Sequence, residues 1–166
     1  LILVGGCNWS DQGRAAFQAF AEASDIPVAA VFRFHDRFDN HSPVFCGEAG
    51  VGMPAHLRKL IAEADVVLAV NNRFGEMTTD AWTLMQVPEP SQVLIHVHGS
   101  DAEIGKIYQP RLGIQAGPNL FAASLRPVTG SWSEWRKAAR GAYEASLDAP
   151  DQPSPVDMGK VMKFLQ

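Results

Sequence analysis

Apolar positions in this chain fall into short unbroken runs, separated by stretches in which they recur at helical spacing. Residues 1–4 (Leu-Ile-Leu-Val) and 66–70 (Val-Val-Leu-Ala-Val) are apolar throughout, and residues 27–32, 93–98 and 112–116 form three further runs. Runs without polar alternation predict strands covered on both faces, as in the parallel sheet of an α/β domain. Ser10 or Asp11 can cap a helix running to about Ser24, with Phe17 and Phe20 on its packed face. Pro54 opens a second helix, in which Leu57, Leu60, Ile61 and Ala64 recur at i, i+3, i+4, i+7. Short helices are expected from Asp101 and over residues 119–125.

Ser131-Trp132-Ser133-Glu134 has the pattern of a capping box, Ser131 at the cap and Glu134 three residues on. The helix it predicts carries Trp132, Trp135, Ala139 and Ala142 on one stripe, with the tryptophans as anchors against the sheet or a flanking domain. The 20-residue stretch 33–52 is rich in Asp, His and Gly and is expected to be a functional loop or interface element without regular structure. Strands alternating with helices predict a doubly wound, mainly parallel sheet in an α/β fold.

The two ends of the chain add to the picture. Residues 148–154, with Pro150 and Pro153, read as a linker. Ser154-Pro155 then predicts a helix start with proline at the first position, Met158, Val161, Met162 and Leu165 forming its apolar face. The chain opens directly on a strand with no initiator methionine and closes on that helix, so a piece of a larger polypeptide is expected. Residues 1–147 form one domain in this reading, and residues 148–166 are the linker and the start of the next.

Composition excludes several classes. At 166 residues the chain suits one domain, and 46% hydrophobic with 19% charged residues suits a packed core. A net charge of -4 and no basic run argue against a nucleic-acid surface. No apolar stretch approaches the roughly 20 residues of a membrane helix, and no signal peptide is expected. Cys7 and Cys46 are far apart and outside any CxxC pattern, as expected of reduced thiols in a cytoplasmic protein.

Residues 33–52 (RFHDRFDNHSPVFCGEAGVG), 73–79 (RFGEMTT) and 96–109 (HVHGSDAEIGKIYQ), followed by Pro110, Leu112 and Ile114, carry a family likeness. In order and spacing they resemble the central domain of thiamine diphosphate-dependent enzymes of the acetolactate synthase-like group, from Leu1 to about Leu125. The resemblance implies a six-stranded, Rossmann-like three-layer domain between two thiamine-binding domains. It implies a parent that decarboxylates or ligates 2-keto acids, with thiamine diphosphate and magnesium bound by the other domains of the same polypeptide. A homodimeric or homotetrameric parent follows from the same likeness. The domain itself would have no catalytic residue and would serve assembly, with a groove that holds FAD or ADP in some relatives. A freestanding nucleotide-binding sensor module is the alternative.

The candidate site lies beyond the carboxyl ends of the strands, where such sheets bind ligands. Gly5, Gly6 and Cys7 follow the first strand and precede a helix, so their amides can hold a pyrophosphate, although the GxGxxG fingerprint is missing. Asn71, Asn72, Arg73 and Gly75 follow the run at 66–70; Arg73 can pair with a phosphate through its planar fork. No Gly-Asp-Gly precedes Asn71-Asn72, so they are not the family's magnesium motif. His98 stands where nucleotide-binding relatives carry an acidic residue for the ribose hydroxyls, and Gly117-Pro118 stands where they carry Gly-Asp. Each of these residues can equally serve only to turn the chain. His96 and His98 share one face of their strand, but a third metal ligand at suitable spacing is absent, and packed, hydrogen-bonded rings are expected. His35, Asp36, Asp39 and His41 are expected to be solvated or subunit-facing, and no metal site is expected.

Overall fold

The computed structural model describes residues 1–148 and 155–165. Six strands, β1 (Ile2–Val4), β2 (Val28–Val31), β3 (Phe45–Ala49), β4 (Val66–Val70), β5 (Val93–His98) and β6 (Leu112–Gln115), form one sheet in the order β3-β2-β1-β4-β5-β6. Every pairing is parallel. The helices are α1 (Asp11–Ala23), α2 (Ala55–Glu63), α3 (Glu76–Thr79), α4 (Pro118–Ser124), α5 (Ser133–Ser146) and α6 (Met158–Leu165). This is the expected three-layer, Rossmann-like α/β fold, parallel throughout rather than mainly so.

Alternation along each strand sorts the core into two layers. Leu3, Ala29, Val67, Ala69 and Leu94 face α2 and α5, together with Leu57, Ile61 and Ala139 of those helices. Ile2, Val4, Ala30, Val70 and Val97 face α1 and α4, together with Phe17, Phe20 and Ala122. Strands buried on both faces cannot alternate apolar with polar residues, which is why they appear in the sequence as unbroken runs. Ser10 caps α1 as expected, its Oγ accepting from the Gly13 N–H at 3.0 Å. No helix among the described residues is long and apolar enough to cross a membrane.

Four expectations need correction. The stretch 33–52 is not without regular structure: it contains a 3-10 turn at His35–Arg37 and the edge strand β3. Gly47 (φ 122°) and the polar Glu48 interrupt the apolar run, and the register against β2 shifts between Val28 and Ala30, so this strand has no clean period. The capping box does not form. Trp132, not Ser131, occupies the cap of α5 and makes no side-chain cap bond: its Nε1 donates to the Ser24 carbonyl at 2.8 Å, and Glu134 accepts from Lys137 Nζ at 2.7 Å instead of turning back to the cap. Proline does not open the last helix, which begins at Met158, with Asp157 Oδ1 accepting from the Lys160 N–H at 3.2 Å. Helix α4 starts one residue early, with Pro118 at its first position. Most of the expected linker, residues 149–154, lies outside the described residues.

Candidate functional site

Strand order reverses between β1 and β4: from β1 the chain winds outward to β2 and β3, then returns through α2 to β4 on the other side. The loops leaving the carboxyl ends of β1 and β4 must therefore diverge. A groove of about 790 Å³ opens there, lined by segments that follow β1, β4, β5 and β6. Gly6, Cys7, Asn71, Asn72, Arg73, Gly75, His98 and Gly117 all line it. Gly5 does not. It sits below the turn, where a Cβ would lie 2.1 Å from Val31 Cγ2, so its role is close packing under the loop.

The β1 loop is built to expose its amides. Gly6 has φ 69° and Asn8 φ 66°, so φ alternates in sign across Cys7 and successive N–H groups turn toward one side. Among the described residues, the N–H groups of Gly6, Cys7, Asn8 and Trp9 have no acceptor. The loop is pinned from three directions. Trp9 Nε1 donates to the Gly5 carbonyl at 2.8 Å, Asn71 Nδ2 donates to the Cys7 carbonyl at 2.7 Å, and Asn119 Nδ2 donates to the Asn8 carbonyl at 2.9 Å. A side chain at Gly6 would meet the Asn71 carbonyl oxygen at 2.3 Å as well as require a left-handed backbone.

The β4 loop is equally constrained. Asn71 (φ 57°) and Phe74 (φ 52°) are left-handed, tolerable for the amide but strained for the ring. Phe74 is held there because its N–H donates to Asn72 Oδ1 at 2.9 Å and its buried ring packs edge-on against His96 and Tyr108, centroids 5.0 and 5.1 Å away. His96 Nε2 donates to the Asn72 carbonyl at 2.7 Å, which leaves Nδ1 as a buried acceptor without a partner. Burial pushes the His96 pKa below its ordinary value, the Asn72 carbonyl opposing. His98 Nδ1 accepts from the Ser100 N–H at 3.0 Å. Both histidines are thus hydrogen-bonded to backbone, and their ring centroids stand 6.3 Å apart.

Electrostatically the groove is one-sided. Its lining contains Arg73 and His98, four asparagines and no carboxylate. Arg73 is exposed and, among the described residues, its guanidinium has no carboxylate or carbonyl partner. The other arginines bordering this end of the sheet are engaged: Arg37 Nε donates to the Gly6 carbonyl at 2.9 Å, and Arg14 pairs with Asp11. Asn72 is only 2% exposed, and its Nδ2 lacks an acceptor. Open amides, an unpaired guanidinium and the absence of carboxylates together make a surface for an anion.

The remaining candidates fall elsewhere. His35 pairs with Glu48 at 3.4 Å and the exposed His41 with Asp39 at 3.3 Å, both at the surface. Among the described residues no group of three or more His, Cys, Asp or Glu side chains is arranged to hold a metal ion. The sequence reading missed Asn119, which ties the β1 loop to α4 across more than 100 residues; a lone Asn after Gly-Pro gives no local signal of such a bond.

Comparison with known proteins gives one family match, to the central domain of thiamine pyrophosphate enzymes, over residues 1–125. Sulfoacetaldehyde acetyltransferase from Castellaniella defragrans is 29% identical over 92% of this chain and 26% of its own length. Acetolactate synthase 1, chloroplastic, from Zea mays is 23% identical over 94% of this chain and 24% of its own. A 3D-(3,5/4)-trihydroxycyclohexane-1,2-dione hydrolase from Clostridium perfringens is 28% identical over 64% of this chain and 17% of its own. The chain spans about a quarter or less of the curated relatives it matches.

Proposed function

The chain belongs to the thiamine pyrophosphate enzyme central-domain family, and from that premise we propose that it is the non-catalytic middle domain of an enzyme acting on 2-keto acids. The parent decarboxylates or ligates such substrates, in the manner of acetolactate synthase, as a homodimer or homotetramer. This domain holds the flanking domains in place. The family match over residues 1–125 carries the proposal.

The groove at the carboxyl end does not fit thiamine diphosphate with its magnesium. Mg²⁺ is usually held through one or two carboxylates, and no carboxylate lines this groove. Magnesium and thiamine diphosphate are therefore assigned to polypeptide beyond these residues, and no chemical step is routed through this groove.

For a nucleotide the fit is partial. The open amides of Gly6, Cys7 and Asn8 and the fork of Arg73 suit the diphosphate of ADP or FAD. The ribose diol finds His98, which can make one of the two bonds a carboxylate would make. We assign the groove a phosphate-dominated nucleotide site, weaker for the nucleoside than for its charged end.

Two measurements test the reading. The isolated chain, given pyruvate, thiamine diphosphate and Mg²⁺, is expected to show no carbon dioxide release and no acetolactate; measurable turnover would overturn the assignment. Calorimetry with ADP, FAD and coenzyme A is expected to give heat for at least one of them. No heat from all three removes the nucleotide assignment and leaves the family assignment standing.

A further inference from the structure

Where the groove meets the end of β5, it offers a donor and open space. His98 closes that strand and is 8% exposed. Its Nδ1 accepts from the Ser100 N–H at 3.0 Å, so the hydrogen sits on Nε2, which only donates. Nε2 has no protein partner among the described residues and is not sealed from solvent, so it opens on the groove that His98 lines. The space nearby is free. A Cβ built at Gly75, Gly99 or Gly117, all of which line the groove, would meet nothing within 4 Å. Packing therefore does not require these glycines, in contrast to Gly5 and Gly6, where a Cβ would collide with Val31 and Asn71. Three bare backbone segments, following the neighbouring strands β4, β5 and β6, let a bulky group come close.

A ribose diol presents two hydroxyl donors. A carboxylate matches both, because its oxygens only accept. The Nε2–H of His98 is the wrong partner for such a pair, and no Asp or Glu lines the groove. A phosphate monoester in place of one hydroxyl reverses the match. It removes a hydroxyl proton and adds three acceptor oxygens with a charge of about −1.5 to −2. A carboxylate would repel that charge. Here the lining sets nothing negative against it, and Arg73 contributes a cation to the same groove.

We propose that the groove prefers nucleotides whose ribose itself carries a phosphate, at the 2′ or the 3′ position. That phosphate accepts from His98 Nε2, while the diphosphate lies on the β1 loop and Arg73. The inference rests on the nucleotide reading of the groove and narrows it: the β5 end receives a charged ester rather than a free diol. At about 790 Å³ the groove is within the size range of pockets that hold such ligands.

The test is calorimetry on the full chain with two pairs of ligands, each pair differing by one phosphate. NADP⁺ against NAD⁺ probes the 2′ position, and coenzyme A against dephospho-coenzyme A the 3′ position. The phosphorylated member of at least one pair is expected to bind at least about tenfold more tightly, the worth of one charge-assisted hydrogen bond. The pair that shows the preference identifies the position. Two variants of His98 preserve the local turn, because Asn and Asp side chains both accept from the N–H two residues on. His98→Asn still turns a donor to the groove and is expected to keep the preference. His98→Asp turns a carboxylate oxygen to it and is expected to abolish or reverse the preference. Equal affinities within both pairs overturn the proposal and leave the nucleotide assignment standing. No heat from any of the four ligands removes both. A preference that survives His98→Asp unchanged also overturns the proposal, since the extra phosphate is then held elsewhere.

Discussion

At the carboxyl ends of β1 and β4 the backbone is held in left-handed conformations at Gly6, Asn8, Asn71 and Phe74, and side-chain amides spend their hydrogen bonds fixing it there. At the amino ends of β4 to β6 no residue is left-handed, and what the surface offers is aliphatic: Val66, Leu68, Val93, Ile95. Strain held by specific bonds marks a place where atoms must be aimed at something. Apolar area without strain makes no such demand on direction. The same six strands thus end in aimed polar groups on one side and in exposed aliphatic area on the other.

If that contrast is right, the carboxyl end depends on a few interlocked side chains and the amino end on area alone. Phe74→Ala tests this most severely. It removes the ring between His96 and Tyr108 and leaves the left-handed turn without its anchor, so a loss of about 3–5 kcal/mol in urea unfolding is expected. A loss near zero would show that the turn is held by backbone alone. Gly6→Ala follows, at about 1–3 kcal/mol, because the new methyl meets Asn71 and the residue must keep a positive φ.

Arg73→Ala separates ligand affinity from stability. A charge-assisted bond to phosphate contributes about 1.5–3 kcal/mol, so ADP or FAD affinity measured by calorimetry should fall at least about tenfold. Because Arg73 has no partner among the described residues, stability should move by less than about 0.5 kcal/mol. A stability loss comparable to that of Gly6→Ala would make Arg73 a structural residue and end the contrast.

The sequence disclosed the two ends unequally, and the reason is physical. Ligand groups in a doubly wound fold sit just past strand ends, so once the run at 66–70 is read as a strand, Asn71 to Gly75 follow by position. Five strands were legible because both faces are buried; β3 was not, because Gly47 and Glu48 break its run at the sheet edge. The sixth strand was expected only from the family resemblance. Asn119 and the exposed aliphatic patch on β4 to β6 were illegible for another reason: a hydrogen bond across 111 residues, or a patch assembled from three strands, leaves no local period. Trp132 shows the limit of motif reading. A capping box was spelled out at Ser131 and Glu134, yet Trp132 takes the cap, its indole drawn to the Ser24 carbonyl more than 100 residues earlier.

pH separates the ends more gently. His96 lies beneath the β4 loop, and burial holds its pKa below the ordinary 6.5. The folded ring stays neutral while the unfolded ring takes up a proton near pH 6.5, so the unfolded state binds more protons below that point. Stability from this site is complete above about pH 6.5 and declines as pH falls from there through the lower folded value. His96→Asn should flatten that decline in the difference between the two unfolding profiles. An unchanged slope would mean that another group titrates.

The smallest effect concerns the two thiols. Cys46 is buried on β3 and its Sγ donates to the Val28 carbonyl at 3.0 Å; burial pushes its pKa up to about 12. It stays protonated at neutral pH and should not react. Cys7 is exposed at the lip of the groove, its carbonyl held by Asn71. Iodoacetamide at pH 8 should therefore modify Cys7 alone in the folded chain, and both residues in urea, as read by mass spectrometry of peptides. Saturating ADP should slow the modification of Cys7 if the groove is where the nucleotide sits. Protection of Cys7 without any heat of binding would place the ligand elsewhere and make the loop, not the groove, the element that responds.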